Sequence, residues 1–177
     1  NAAFQAPDAP LGAEKVNATF EVQKDRVDIR TFTAETGGGT VTAQGSVVYQ
    51  SAPRFNVGLS AKEVRLRYPD GVRAMLNSDL ALNGTPESAV LTGQVLIDRL
   101  SFTESFDLAT FADQFSGPSS APSEGIAQNI KLDLAVKSTQ EMGLSSSKLS
   151  VQGSADLQVR GTAAEPVILG RTNITGG

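Results

Sequence analysis

The sequence predicts an elongated all-β protein, and three observations lead to this prediction. Apolar and polar residues alternate with a period of two along much of the 177-residue chain, which is typical of half-buried strands. The chain contains seventeen glycines, and turns with Gly or Pro separate these runs, giving about ten strands at the spacing usual for all-β proteins. One strand–turn–strand unit occurs twice, as repeats of stacked supersecondary units do.

The alternation places the individual strands. The first is expected to begin at Val16, and the second to run over about 26–35 before a break at three consecutive glycines, residues 37–39. Alternation then continues on odd positions up to Ala61 and resumes on even positions at Val64. A shift of this kind indicates a β-bulge between the two residues.

The domain prediction follows from where the alternation stops. Residues 1–15 are expected to form a linker or boundary segment, and residues 16–177 a single β-rich domain cut from a larger repetitive protein. Within it, phenylalanines at helical spacing predict one short helix near 105–115, which would either plug one end of the sheet or touch lipid. Residues 116–125 are rich in Ser and Pro and are expected to form a mobile loop.

The internal repeat joins two seven-residue stretches. Residues 79–85 (DLALNGT) resemble residues 156–162 (DLQVRGT), 77 positions further on (156 minus 79). Each stretch ends with a Gly-Thr pair and is followed by a connection that contains Pro and Glu. Gly84 and Gly161 are therefore expected to be turn glycines with positive φ.

Composition excludes several classes of function. The chain has no His and no Cys, which removes Ser–His and Cys–His catalysis and the usual zinc ligand sets. The net charge is −4 and the basic residues are scattered, which argues against a nucleic-acid partner. A carboxylate pair such as Asp98 with Glu104, or Glu124, could in principle serve a glycosidase, but nothing in the sequence pairs them. We therefore expect no enzyme activity, no cofactor and no metal.

The motifs themselves resemble a known family. The pattern Asp-Leu-x-Leu-x-Gly-Thr is followed by Leu-x-Gly-x-Val-x-Ile at 91–97, and then by Phe102 and a Phe-Asp-Leu triplet at 106–108. The second copy ends in Pro-Val-Ile-Leu-Gly at 166–170. Over about residues 35–175 the sequence resembles the C-terminal domain of TamB-like translocation and assembly module proteins, which are related to AsmA-like and bridge-like lipid transfer proteins.

The resemblance implies an architecture and a function. It implies a curled, taco-like, mainly antiparallel sheet with an apolar concave interior, in the periplasm of a diderm bacterium. The parent protein would be anchored in the inner membrane by a helix that this segment lacks. The implied function is non-catalytic: part of a hydrophobic trough for phospholipid transport between the two membranes, outer-membrane protein assembly, or both. The implied partners are phospholipid acyl chains, a BamA-like outer-membrane protein of the TamA type, and preceding β-repeats of the same chain.

Strand alternation then selects the side chains that would line such a trough. The residues expected to face lipid are Val47, Tyr49, Val57, Leu59, Leu80, Leu82, Leu91, Val95, Leu132, Leu134, Val151, Leu157 and Val159. The alternative function is a structural β-repeat scaffold or an adhesin-like stalk. In that case the same residues would form a closed, dry core.

Overall fold

One curled, open sheet contains every strand that the structure describes. The structure is a computed structural model that describes residues 2–4, 12–50, 52–67, 71–103, 125–139, 142–145 and 150–176. The strands are β1 (Ala2–Phe4), β2 (Ala13–Val22), β3 (Arg26–Thr36), β4 (Gly39–Val48), β5 (Arg54–Leu66), β6 (Val72–Thr85), β7 (Ser88–Phe102), β8 (Ile130–Ser138), β9 (Met142–Ser145), β10 (Ser150–Gly161) and β11 (Pro166–Gly176).

The strands are ordered almost as they follow one another along the chain. The hydrogen-bonded order is β1-β2-β3-β4-β5-β6-β7-β8-β10-β11, and β9 pairs with β10. All pairs are antiparallel except β7 and β8, which are parallel. The predicted all-β, mainly antiparallel fold is confirmed. Within the described ranges the only helical element is a 3₁₀ turn at Ile126–Asn129, and the helix expected at 105–115 lies outside them.

Two stretches begin earlier than the sequence predicted. β1 and the start of β2 fall within residues 1–15, which the sequence assigned to a linker. β2 begins at Ala13 rather than Val16 because a register shift, with Lys15 at φ +50°, interrupts the alternation near its start. The loop expected at 116–125 lies outside the described residues except for Gly125.

Bulges keep the apolar residues on one side of the sheet. In β5 the predicted bulge is confirmed, because the register shifts between Ala61 and Val64. A second bulge in β3 falls between Ile29 and Phe32, and a third in β7 falls at Asp98. After each bulge the apolar residues of the sequence change from odd to even positions, or from even to odd. This change compensates for the extra residue, so the same face stays apolar along the whole strand.

The sequence repeat is a three-stranded structural repeat. The first unit is β5–β6–β7 and the second is β8–β10–β11, in which β9 continues the line of β8 along β10. Paired residues in the first unit correspond to paired residues 77 positions later in the second. Leu59 pairs with Leu80 in the first unit, and Val136 pairs with Leu157 in the second. The sequence comparison found only the hairpin, because β5 and β8 share alternation but no identical residues at this offset.

Irregular features recur at the same offset. The β7 bulge lies between partners Leu76–Ile97 and Met75–Arg99, and an equivalent bulge in β11 lies 77 positions further on. In the β6–β7 turn the Ser88 amide donates a hydrogen bond to Thr85 Oγ1 over 3.1 Å. In the β10–β11 turn the Glu165 amide does the same to Thr162 Oγ1, also over 3.1 Å. A recurring bulge and turn cap show that the two units share one backbone design.

Glycines in mid-strand allow neighbouring backbones to approach closely. Gly93 (φ +136°) and Gly170 (φ +148°) occupy equivalent positions of β7 and β11. A Cβ at Gly93 would lie 2.1 Å from the carbonyl oxygen of Asp79, and one at Gly170 would lie 2.3 Å from that of Asp156. Only glycine adopts this conformation readily, and such kinks let a sheet curl.

The predicted turn glycines have the expected backbone sign but a different place. Gly84 (φ +138°) and Gly161 (φ +85°) both have positive φ, as predicted. However, Gly84 lies within β6, opposite Ala89, and Pro86 and Glu87 form the turn itself. A Cβ at Gly84 would lie 2.3 Å from the carbonyl oxygen of Ser88, so this glycine permits close approach of the two hairpin strands.

Asn77 links two of the bulges through its side chain. Its Oδ1 accepts a hydrogen bond from the Glu63 backbone amide over 2.9 Å, in the β5 bulge, where Glu63 has φ +53°. Its Nδ2 donates to Asp98 Oδ2, in the β7 bulge, over 2.5 Å. One side chain in β6 therefore fixes the irregularities of both neighbouring strands, on which the continuity of the apolar face depends.

Replacing Gly93 by alanine should destabilise the protein by about 1–3 kcal/mol, because the new Cβ meets backbone atoms and the positive φ becomes strained. Gly58→Ala is the matched control in β5: its Cβ would meet only Gln44 atoms, at 3.9 and 4.0 Å. That change should alter stability by less than about 1 kcal/mol. Urea unfolding of both variants measures the difference, and equal midpoints would contradict the proposed kink.

Asn77→Ala should cost about 1–3 kcal/mol, since it leaves the Glu63 amide and the Asp98 carboxylate without this partner. Asn83→Ala, at an exposed site on the same side of β6, should cost no more than about 0.5 kcal/mol. Chemical unfolding gives the comparison. A neutral Asn77→Ala would show that the bulges are set by the backbone alone.

Candidate functional site

The candidate site is one side of the sheet, which we call the apolar face. Across β5 to β8 it carries no charged residue, because the strand registers bring apolar positions together. Its hydroxyl residues there are Ser78 and Ser138, and the Ser138 Oγ accepts a hydrogen bond from the Ala155 amide over 2.7 Å. The opposite side is called the polar face.

Apolar side chains form rows that cross the strands. One row joins directly paired residues from β4 to β11: Ala43, Leu59, Leu80, Gly93, Leu134, Val159 and Ile168. The next row along the strands begins at Gly45 and continues through Val57, Leu82, Leu91 and Leu132. Such rows extend in the direction in which the sheet grows, so each added strand lengthens the apolar surface by about 4.8 Å.

Most of the residues expected to face lipid lie together on this face. They are Val47, Val57, Leu59, Leu80, Leu82, Leu91, Val95, Leu132, Leu134, Leu157 and Val159. The strand registers bring these residues to one side of the sheet.

Two of the expected residues differ from the rest. Tyr49 lies just beyond the end of β4, 44% exposed, and its hydroxyl donates a hydrogen bond to the Gln23 carbonyl over 2.6 Å. It therefore fastens the β2–β3 turn, a role that alternation alone does not reveal. Val151 lies in β10, opposite Leu144 of β9, and its side chain is outside the described part of the structure.

The exposure of the apolar face is unusual for a β protein. Leu80, Leu132 and Leu157 are each half-buried. No large side chain among the described residues is fully buried, and the buried apolar residues are Ala34, Val64, Val72, Ala89 and Ala155. If two such sheets closed over a dry core, at least some of their large apolar side chains would be fully buried. Within the described residues the face is therefore an open apolar surface.

The face extends beyond the residues that the sequence singled out. Phe55, Leu76 and Val136 lie on the same side, as pairing partners or strand neighbours of the expected residues. The alternation of apolar and polar residues within each strand is enough to assign these three residues to the apolar face. Leu100 and Phe102 join only after the bulge at Asp98, and sequence alternation read without that bulge places them on the other side.

Val167 and Leu169 are apolar residues of β11 that lie outside the apolar face. They pair with Arg160 and Gln158, and so they lie on the polar face, while Ile168 lies on the apolar face. Three consecutive apolar residues leave the phase of the alternation in this strand undetermined from sequence.

Charged groups collect on the polar face. Asp79, Asp133 and Gln158, the sequence neighbours of three apolar-face leucines, are all exposed. In β2 and β3 the Arg30 Nε donates a hydrogen bond to Glu21 Oε2 over 2.8 Å, and this bond lowers the pKa of the Glu21 carboxyl. The sheet thus separates a wetted, charged side from an uncharged one.

The polar face carries shallow grooves of its own. One of about 500 Å³ lies over Gly58 and Ala81, and its lining mixes hydroxyl, amide and charged side chains with apolar ones. Another of about 650 Å³ includes Lys62, Glu63 and Asp98. The second groove is lined mainly by polar and charged groups, which do not suit an acyl chain. No cluster of metal-binding side chains occurs in the described residues, and the Asp98 carboxylate already binds Asn77.

No helix in the described part of the chain is both long and apolar enough to cross a membrane.

Comparison with known proteins gives one result. Residues 30–177 match the TamB C-terminal domain. No curated protein and no solved structure matches the chain. The matched range contains both three-stranded units, β4 and most of β3, so the apolar face across β4–β11 lies within it. Because the match covers most of the chain, this protein belongs to the TamB C-terminal domain family.

Proposed function

We propose that this segment forms part of a hydrophobic trough along which phospholipids move between the inner and outer membranes. Its apolar face would shield acyl chains from water while headgroups stay solvated. The role is non-catalytic. The observation that carries the proposal is the continuous, uncharged, half-exposed apolar face across β4–β11.

The energetic need for such a surface is large. Exposing an acyl chain to water costs about 0.8 kcal/mol per CH₂, so a 16-carbon tail costs about 12 kcal/mol. A row of Leu and Val side chains that is itself half-exposed gains from covering the chain, because both apolar surfaces leave water together. Weak, non-directional contacts of this kind also let a chain slide from one row to the next.

Family membership supports the cellular setting of the proposal. TamB-type domains are associated with translocation and assembly in the cell envelope, and we place this segment in the periplasm, as part of a protein anchored in the inner membrane. A BamA-like outer-membrane protein of the TamA type is the proposed partner at the far membrane. Assembly of outer-membrane proteins would use the same segment as a strand-bearing scaffold.

The competing function is a purely structural scaffold with a closed, dry core. The half-buried state of Leu80, Leu132 and Leu157 speaks against it, because a dry core excludes water from its large side chains. Two experiments separate the functions.

A photoreactive amino acid at Leu80, Leu132 or Leu157 should capture phospholipid in cells, because these side chains point to the apolar face. The same probe at Asp79, Asp133 or Gln158 should not. Each control is the immediate neighbour of a test position and is exposed on the polar face. Mass spectrometry of the purified adducts identifies captured lipid. Equal capture at the test and control positions would contradict the proposed trough.

Leu132→Asp should block lipid passage while costing only about 1–3 kcal/mol of stability, since the half-exposed site leaves the new carboxylate in contact with water. In a closed core the same unpaired charge would be severely destabilising. Gln158→Asp adds an equal charge to the polar face and should affect neither property. Lipid transfer and thermal unfolding are measured for both variants. If Leu132→Asp unfolds while Gln158→Asp stays folded, the result would favour the dry core.

A further inference from the structure

The outer edge of β11 is the feature that the proposed function leaves unexplained. Within the described ranges no strand pairs with it. Val167, Ile168 and Leu169 are 50%, 45% and 53% exposed, and they occupy both sides of the strand. An edge that is apolar on both sides presents free backbone donors and acceptors and is prone to pairing with another strand.

The repeat shows which arrangement fits this edge. β11 is the counterpart of β7, with the same register to its hairpin partner, the same kinked glycine and the same bulge. In the first unit the corresponding edge of β7 is occupied by β8, which runs parallel to it from Ala89–Ile130 to Ile97–Ser138. This parallel pairing of β7 with β8, which we call the β7–β8 joint, links the two units. The molecule therefore already shows once how one unit attaches to the next.

We infer that the free edge of β11 accepts a strand that runs parallel to β11, in the register that β8 adopts on β7. At the offset of 77, the incoming strand would pair along residues 166–174. The orientation and register of the added strand do not depend on lipid passage.

The chemistry of the incoming strand follows from that of β8. β8 places Ile130, Leu132, Leu134 and Val136 on the apolar face and Lys131, Asp133 and Lys137 on the polar face. Leu134 lies opposite Gly93, which presents no side chain of its own to the apolar face. The residue that comes to lie opposite Gly170 should likewise be large and apolar. The partner is thus an alternating apolar–polar strand from a further unit of this kind.

A second folded copy of this chain supplies neither its β5 nor its β8 strand. Its β5 and β8 strands have both edges occupied, and two β11 edges related by a two-fold axis would pair antiparallel. Antiparallel pairing of two copies is therefore the alternative outcome, and the orientation of the added strand distinguishes the two.

The chain contains no cysteine, so introduced thiols report contacts without background. The probe is a synthetic peptide with the sequence of residues 130–138, carrying cysteine in place of either Lys131 or Lys137. Single cysteines are placed in the protein at Val167 and at Asn173, the counterparts of Val90 and Leu96. In the β7–β8 joint, Val90 pairs with Lys131 and Leu96 with Lys137.

Parallel addition predicts that Val167→Cys forms a disulfide mainly with the peptide carrying cysteine at position 131. Asn173→Cys should then favour the peptide carrying it at position 137, and each preference should be severalfold under mild oxidation. Mass spectrometry of intact adducts measures the yields. The matched control is Val90→Cys, at the same repeat position and similarly exposed, but on a strand whose edge is already filled; it should give no adduct.

Reversed preferences would show antiparallel addition and overturn the inference. Equal yields at all positions, including Val90→Cys, would show unspecific thiol chemistry and overturn it as well. Disulfide-linked protein dimers in place of peptide adducts would assign the edge to a second copy. Absence of any adduct at a large excess of peptide would mean that the edge does not accept this strand.

Discussion

Strand register is the constraint on which the rest of this structure depends. Side chains alternate along a strand, so a slip of one residue would exchange the apolar and polar faces over an entire strand. The protein nevertheless contains bulges in β3, β5 and β7, each of which is such a slip introduced locally. The sequence compensates each one by shifting its apolar positions, and Asn77 holds two of the bulges in place.

Period-two alternation was strong enough to predict the fold class, most strands and the bulge after Ala61, because each is a local property of the sequence. The parallel joint of β7 and β8 was not predictable in this way, since pairing between distant strands leaves no local mark. The same holds for the equivalence of β5 and β8, which appears only when the registers are compared. Leu100 and Phe102 depended on a bulge that has no sequence signal of its own.

The candidate site shows the same division between local and non-local information. Alternation correctly grouped most of the apolar residues, because facing depends only on the backbone pleat. Tyr49 escaped that grouping because its hydroxyl finds a backbone acceptor in a neighbouring turn. Alternation cannot tell whether a face is open or covered. Here the half-buried leucines supply that information, because burial is set by what lies above the sheet.

The parallel joint also bears on how such a chain folds. Within each three-stranded unit neighbouring strands follow one another closely in sequence, so their pairing closes short loops at small entropic cost. β8, in contrast, begins beside Ala89 at the start of β7, although residues 103–129 separate it along the chain from the end of β7. Local units should therefore form early and join afterwards, since contacts between distant segments form slowly. Folding by successive units suits a repetitive protein, because a longer chain adds steps without enlarging any one of them.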